Sequence, residues 1–210
     1  MNAPMDTQIR FDEATHTYWQ GVERIPSVTQ ILAPLVDFSG IKMSVLERAS
    51  ARGHAVHYGT ELYDQNDLDW ASLDPELRPY IEAWAEFRLK TGFVPDLIEQ
   101  RVFHPGLRYA GTLDRTGLLD GEPSVLDVKS SVTLYPTVGL QTVAYAEALH
   151  AGNPTMPRHT GRYAVQVKKD GKYVLKHYTD KTDWPTFIAL KTMMRWADHN
   201  QTRINYEPNT

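Results

Sequence analysis

The stretch GTLDRTGLLDGEPSVLDVKSS, Gly111–Ser131, constrains the fold more than any other part of the chain. Two apolar runs flank the turn residues Asp120–Pro123, so it reads as a pair of antiparallel strands. Yet Asp114, Asp127 and Lys129 stand inside those runs. Charges buried in a sheet are costly unless they pair with one another or hold a metal. A four-residue turn sets Leu119 opposite Ser124 and Asp114 opposite Lys129. Asp127 and Lys129 share a parity and leave the strand on one face, while Leu126 and Val128 leave on the other, toward a core. Asp114 is then a diagonal neighbour of Asp127, at roughly 7–8 Å between backbones, within reach of one shared ion.

The rest of the chain supplies helices for such a sheet. A short hairpin is expected around Gln20–Gly21, followed by a helix start at the cap-like Ser27. Met43–Gln65 has a helical pattern weakened by Gly53 and Gly59; close backbone approach would explain them. A second helix is expected over Pro75–Thr91, with Leu77, Ile81, Trp84, Ala85 and Leu89 at helical spacing and Gly92 as its stop. Strands follow at Asp96–His104, Tyr109–Leu119 and Ser124–Ser130, then a helix over Val138–His150. Two strands at Arg162–Lys168 and Tyr173–Tyr178 and a last helix over Trp184–Asn200 close the chain. This order predicts an α/β protein with a central mixed β-sheet flanked by helices.

The 210 residues suit one domain. They contain no cysteine, which excludes thiolate metal sites, disulfides and iron–sulfur clusters held by thiolates. No apolar run is long enough for a signal peptide or a membrane span, so a cytoplasmic protein is expected. Residues 1–150 hold 12 Lys+Arg against 21 Asp+Glu, and residues 151–210 hold 10 against 5. A basic end beside an acidic body fits a polyanion lying across one side. On charge alone, a lysine-rich edge hairpin kept soluble is the simpler explanation. Arg162, Lys168, Lys169, Lys172 and Lys176, interleaved with Tyr163 and Tyr173, are the candidate phosphate and base contacts of that end. Arg108 and Arg115 lie nearer the acids, although alternation turns Arg115 away from Asp114 and toward a helix.

Two converging carboxylates suit Mg²⁺ or Mn²⁺, which favour oxygen ligands. A neighbouring lysine can orient a water or stabilise developing charge. On the residues alone, a purely structural Asp–Lys pair competes with this reading. The pattern GTLD (Gly111–Asp114) followed by DVK (Asp127–Lys129) resembles the PD-(D/E)XK nuclease superfamily, in the RecB-like branch that includes lambda-type phage exonucleases. The literal Pro-Asp opening is absent, since Leu113 precedes Asp114. Two further motifs match: QTVAY, Gln141 to Tyr145, and GHAVHYGTE, with Gly53, His57 and Glu61.

The resemblance implies a restriction-endonuclease-like core and a Mg²⁺- or Mn²⁺-dependent deoxyribonuclease. It implies metal ligation by His57, Asp114, Asp127 and the Val128 carbonyl, with Lys129 catalytic beside the two acids. Gln141 and Tyr145 would position substrate. His54 rivals His57 on an adjacent helix face, and the family spacing selects His57. Glu61 would stand behind the ligands, and Glu99 is an acid of related position. One nuclease domain is expected over residues 1–210, with an N-terminal hairpin embellishment (1–40), a core (42–180) and a C-terminal helix and tail (181–210). The implied partner is DNA, with a single-strand annealing or a replication or recombination protein, in a bacterial or phage-infected cell. Exonuclease action in phage recombination, repair or replication leads, a structure-specific endonuclease follows, and a homo-oligomer stays open. A silent DNA-binding or assembly module of the same fold is the competing class.

Overall fold

A computed structural model describes residues 9–204. The extreme N-terminus considered for a leader and the last part of the C-terminal tail lie outside these residues. Two sheets are present among the described residues. The first is antiparallel and three-stranded: β1 (Arg10–Asp12), β2 (Thr17–Gln20) and β3 (Glu23–Ile25). The expected hairpin forms at Gly21, whose φ of +59° favours glycine, and β1 adds a strand that sequence patterning did not resolve.

Helix α1 (Val28–Leu32) begins where the cap signal placed it. The Ser27 hydroxyl accepts from the Gln30 N–H at 3.1 Å, and the Gln30 side chain accepts from the Ser27 N–H at 3.0 Å. Helices α2 (Met43–Asp64) and α3 (Arg78–Thr91) follow. The latter ends at Gly92, in the left-handed conformation at φ +68°. It starts three residues later than expected, and Leu89 is exposed rather than core-facing. Its buried stripe runs through Tyr80, Ile81, Trp84 and Phe87, and a position five residues beyond Trp84 has rotated away from it.

The main sheet comprises β4 (Pro95–His104), β5 (Tyr109–Leu119), β6 (Glu122–Lys129), β7 (Gly161–Val167) and β8 (Tyr173–His177), in that spatial order. Only the β6–β7 pair is parallel, joined through α4 (Thr137–Gly152). Helix α5 (Asp183–His199) is the last element among the described residues. On one face of the sheet Val102, Tyr109, Leu113 and Val125 pack with α1, α4 and α5. On the other, Leu119, Leu126, Val128 and Val165 pack with Val56 of α2 and Trp84 and Phe87 of α3. The α/β class with a central mixed sheet flanked by helices is therefore as expected.

The two glycines of α2 differ. A Cβ on Gly59 would meet Ile81 Cδ1 at 2.7 Å, so this glycine does serve close packing of α2 on α3. A Cβ on Gly53 meets nothing within 4 Å. Gly53→Ala should therefore stabilise the protein by about 0.5–1 kcal/mol, through helix propensity alone, in a denaturant titration.

The central hairpin departs from the expected register. Leu119 pairs with Glu122, Gly117 with Ser124 and Arg115 with Leu126. The turn is thus the two residues Asp120 and Gly121, at φ +52° and +81°. Positive φ at both central positions is what an Asp-Gly hairpin turn with native twist requires. The slip is by two residues, so each side chain keeps its face but changes its partner. Carried one step further, this register sets Asp114 level with Asp127 rather than with Lys129.

Candidate metal centre

Strand β5 changes course at Asp114. Leu113 packs with the α4 side of the sheet, whereas Arg115 bonds to α2 on the opposite side. Regular alternation would put both on one face. On the neighbouring strand the rung opposite Asp114 is also irregular. Ile98 pairs with Arg115 and Gln100 with Leu113, but Glu99 between them lies at φ +47°. A glutamate in this region, inside a strand, is strained, and such strain gathers at functional sites.

The two distortions aim carboxylates at one histidine. His57 Nδ1 of α2 lies 3.5 Å from Asp114 Oδ1 and 3.7 Å from Glu99 Oε1. One ligand-type atom from each of His57, Glu99 and Asp114 fits within 4.8 Å of the others. The second Asp114 oxygen accepts the Val128 N–H at 2.6 Å, which ties β5 to β6 where their pairing ends. Asp127, 1% exposed, stands alongside. Its Oδ2 is ion-paired to Lys129 Nζ at 2.7 Å, and its Oδ1 is buried without a partner. A buried carboxylate oxygen with no donor calls for an ion or a bound water.

Charge states follow from this crowding. Burial, reinforced by the Asp127 and Glu99 charges against the opposing pull of His57, pushes the Asp114 carboxyl up to about 7. Burial pulls His57 down, but the Asp114 charge and the Glu99 hydrogen bond more than offset it, leaving its pKa raised. Lys129 is likewise raised, because the Asp127 and Asp114 charges outweigh its burial. Glu99 is lowered despite burial, by His57 and Arg115.

Beneath the cluster lies a buried ion network. Arg115, with no exposed surface, donates from Nε to Asp64 Oδ2 at 2.6 Å, from Nη1 to Glu99 Oε1 at 2.9 Å and from Nη2 to Thr60 Oγ1 at 3.2 Å. Asp64 Oδ1 also accepts from Trp84 Nε1 at 2.9 Å and Arg88 Nη1 at 2.7 Å. The expectation that Arg115 faces a helix holds. As a phosphate contact it fails, because its guanidinium is sealed in the core. Arg108 is also engaged elsewhere, bonding Gln20 at 2.6 Å and Glu23 at 2.7 Å on the small sheet.

Helix α4 supplies the QTVAY pair. Gln141 Nε2 donates to the Tyr145 hydroxyl at 3.2 Å. Burial, with the Asp127 charge next, holds the Tyr145 phenol neutral. Its ring explains Gly111: a Cβ there would stand 2.5 Å from Tyr145 Cε1. Gly111→Ala should therefore destabilise the protein by about 1–3 kcal/mol, the range for overpacking a core, as a lowered unfolding midpoint.

A cavity of about 320 Å³ opens onto the cluster, lined among others by His57, Glu99, Asp114, Gly111 and Tyr145. His54 and Glu61 line it too, without joining the three-residue group. Sequence reasoning underweighted Glu99 and missed His16 and Tyr18, which the small sheet brings to the rim. A positive φ at a glutamate inside a strand has no sequence signal, and nothing local links residue 16 to residue 114. At the C-terminal hairpin, Arg162 is buried and ion-paired to Asp183 at 2.6 Å, and Tyr163 is core. Neither is available to nucleic acid, whereas Lys169 and Lys172 are exposed. No helix among the described residues is long and apolar enough to cross a membrane.

No family model matches the chain. No curated protein matches it either. Among solved structures it is similar to an alkaline exonuclease, LHK-Exo, from Laribacter hongkongensis, at 11% identity and a TM-score of 0.34, covering 83% of this chain and 92% of that one. It is similar also to LHK-Exo in complex with dAMP, at 12% identity and a TM-score of 0.33, covering 84% and 93%.

Proposed function

We propose that this chain is a metal-dependent deoxyribonuclease with a restriction-endonuclease-like core forming one domain over residues 1–210. The observation that carries the reading is the convergence of His57, Glu99 and Asp114 beside Asp127, whose buried oxygen lacks a donor, and Lys129. An imidazole with three carboxylates and no thiol suits Mg²⁺ or Mn²⁺. His57, Glu99, Asp114 and Asp127 would hold the ion, with the Val128 carbonyl. When bound, the ion would neutralise phosphate charge and acidify a water. Lys129, kept protonated by Asp127 and Asp114, orients that water and stabilises the charge that develops on the phosphate. Asp114 is fixed by the Val128 N–H, and Glu99 by Arg115, so two of the carboxylates are oriented before any ligand arrives. Gln141 and Tyr145 position the strand at the cavity wall.

Exonuclease action on DNA, in phage recombination, repair or replication in a bacterial cytoplasm, is the favoured mode. The test is cleavage of end-labelled linear single- and double-stranded DNA and of a closed circle, with Mg²⁺, Mn²⁺ or EDTA and with Lys129→Ala alongside. Nucleotide release from linear DNA, lost with EDTA and with the variant, is the expected result. Nicking of the circle moves the mode to endonuclease. Binding without cleavage of any substrate rejects the enzyme and leaves a silent DNA-binding module.

A further inference from the structure

A second cavity, of about 480 Å³, lies at the carboxyl ends of the parallel strands β6 and β7. The last rung between them pairs Lys129 with Gln166, and the groove is lined from Ser130 on one side and from Gln166 on the other. Its walls include Arg52 and Tyr80 from α2 and α3, Ser130 and Ser131 beyond β6, and Lys168 and Lys169 beyond β7. Asp170 is the one acid among its lining residues, and its Oδ1 accepts the Lys172 N–H at 3.2 Å. The crevice outside the carboxyl ends of parallel strands is a recurrent ligand position in α/β sheets.

Arg52 is the informative residue. Its guanidinium carbon lies 6.0 Å from the centre of the Tyr80 ring, and its Nε is buried with no hydrogen-bond partner. Among the described residues no carboxylate pairs with Arg52, Lys168 or Lys169. By contrast Arg88, Arg115 and Arg162 each have a carboxylate within 2.7 Å. An arginine near an aromatic ring, with a donor left over and two lysines without carboxylate partners lining the same groove, offers positive charge and N–H donors to an oxyanion. Ser130 and Ser131 also line the groove.

We infer that this groove binds a phosphate group of the nucleic-acid strand, one not undergoing cleavage. The inference rests on the nuclease reading for its ligand. Ser130 and Ser131 follow Lys129 directly, at about 3.3 Å of rise per extended residue. A strand bound here continues the path of the strand at Lys129 past α2 and along the C-terminal hairpin. It also gives the exposed Lys169 a function that its position on an edge hairpin does not require.

The test is fluorescence anisotropy of labelled oligonucleotides in EDTA, where nothing is cleaved, across a salt series. Arg52→Gln and the surface double variant Lys168→Gln/Lys169→Gln are compared with wild type. Each should weaken binding about tenfold. Each lost phosphate contact should lower the log–log salt slope by about 0.7–0.9. Arg52→Lys, which keeps the charge, should recover part of the loss, and the double variant serves if Arg52→Gln fails to fold. Oligonucleotides with and without a 5′-phosphate distinguish the sources: a loss confined to the phosphorylated end assigns a terminal monoester, an equal loss an internal diester. Affinities within twofold of wild type with unchanged slopes overturn the site. If wild type binds no oligonucleotide in EDTA, pyrophosphate becomes the probe, and the nuclease reading is decided separately by the cleavage assay. Shifts of the Ser130 and Ser131 amide resonances that Arg52→Gln abolishes then retain the anion site, and their absence rejects it.

Discussion

Asp114→Asn should abolish DNA cleavage and, in the same protein without metal, raise the melting temperature at pH 8 by several degrees. The two effects have one origin. Asp114 is buried between His57, Glu99 and Asp127, and burial first of all lifts its carboxyl from the usual carboxylate range to about 7. A carboxyl raised on folding binds its proton more tightly in the native state. Its penalty is therefore present above the native value of about 7 and is relieved as pH falls toward the unfolded value. The asparagine carries no such charge, while its amide oxygen can still accept the Val128 N–H. The stability gap between variant and wild type should thus be widest at pH 8, narrow as pH falls through about 7 and close only near the ordinary carboxylate value, by calorimetry in EDTA. Mn²⁺ should raise the wild-type melting temperature and leave the variant unmoved, because an ion stabilises the state it binds. Cleavage should fall about a thousandfold or more, the equivalent of the several kcal/mol that a metal contributes to transition-state charge. A variant that is less stable than wild type at pH 8, or still active, would reject this account of Asp114.

Asp64→Ala should be the most damaging single change to stability. The carboxylate has no exposed side-chain surface and receives Arg115, Arg88 and the Trp84 N–H. Removing it leaves the fully buried Arg115 cation without its closest partner and orphans an indole donor. Breaking a buried pair on one side costs about 3–5 kcal/mol. For a chain of this size that lowers the melting temperature by roughly 6–20 °C. The double variant Asp64→Leu/Arg115→Met removes both charges from the same space and should recover part of the loss. It should not recover cleavage, because Glu99 then loses the Arg115 Nη1 that holds it at 2.9 Å. If Asp64→Ala melts within 2–3 °C of wild type, equivalent to about 1 kcal/mol, the network is not the keystone described.

Local signals were legible in the sequence because their physics is local. The Ser27–Gln30 capping box, the Gly92 stop and the bounds of β5 follow from residues a few positions apart. So does the parity that buries Leu126 and Val128 and turns Asp127 the other way. The turn was misread locally, as were the start of α3, the facing of Leu89 and the reason for Gly53. Asp120–Gly121 carries its own two-residue signal, and the following Glu-Pro belongs to β6.

By itself, the sequence determined the α/β class, the order of strands and helices, the charged hairpin, and the residue types available for a site. Tertiary structure alone decided which of them meet. His57 rather than His54 faces Asp114 because the rotation of α2 is set by packing Val56 and Gly59 against α3 and the sheet. Glu99 joins the cluster because a strained residue in β4 is held there by Arg115, itself pinned by Asp64 thirty-five positions earlier in the chain than Glu99. Arg162 looks like a surface cation in a string of letters and is a core residue in the fold, as is Arg115, whose strand parity already turned it toward a helix. Burial and pairing of charges depend on contacts between distant segments, and no local pattern encodes which arginine will find a carboxylate waiting.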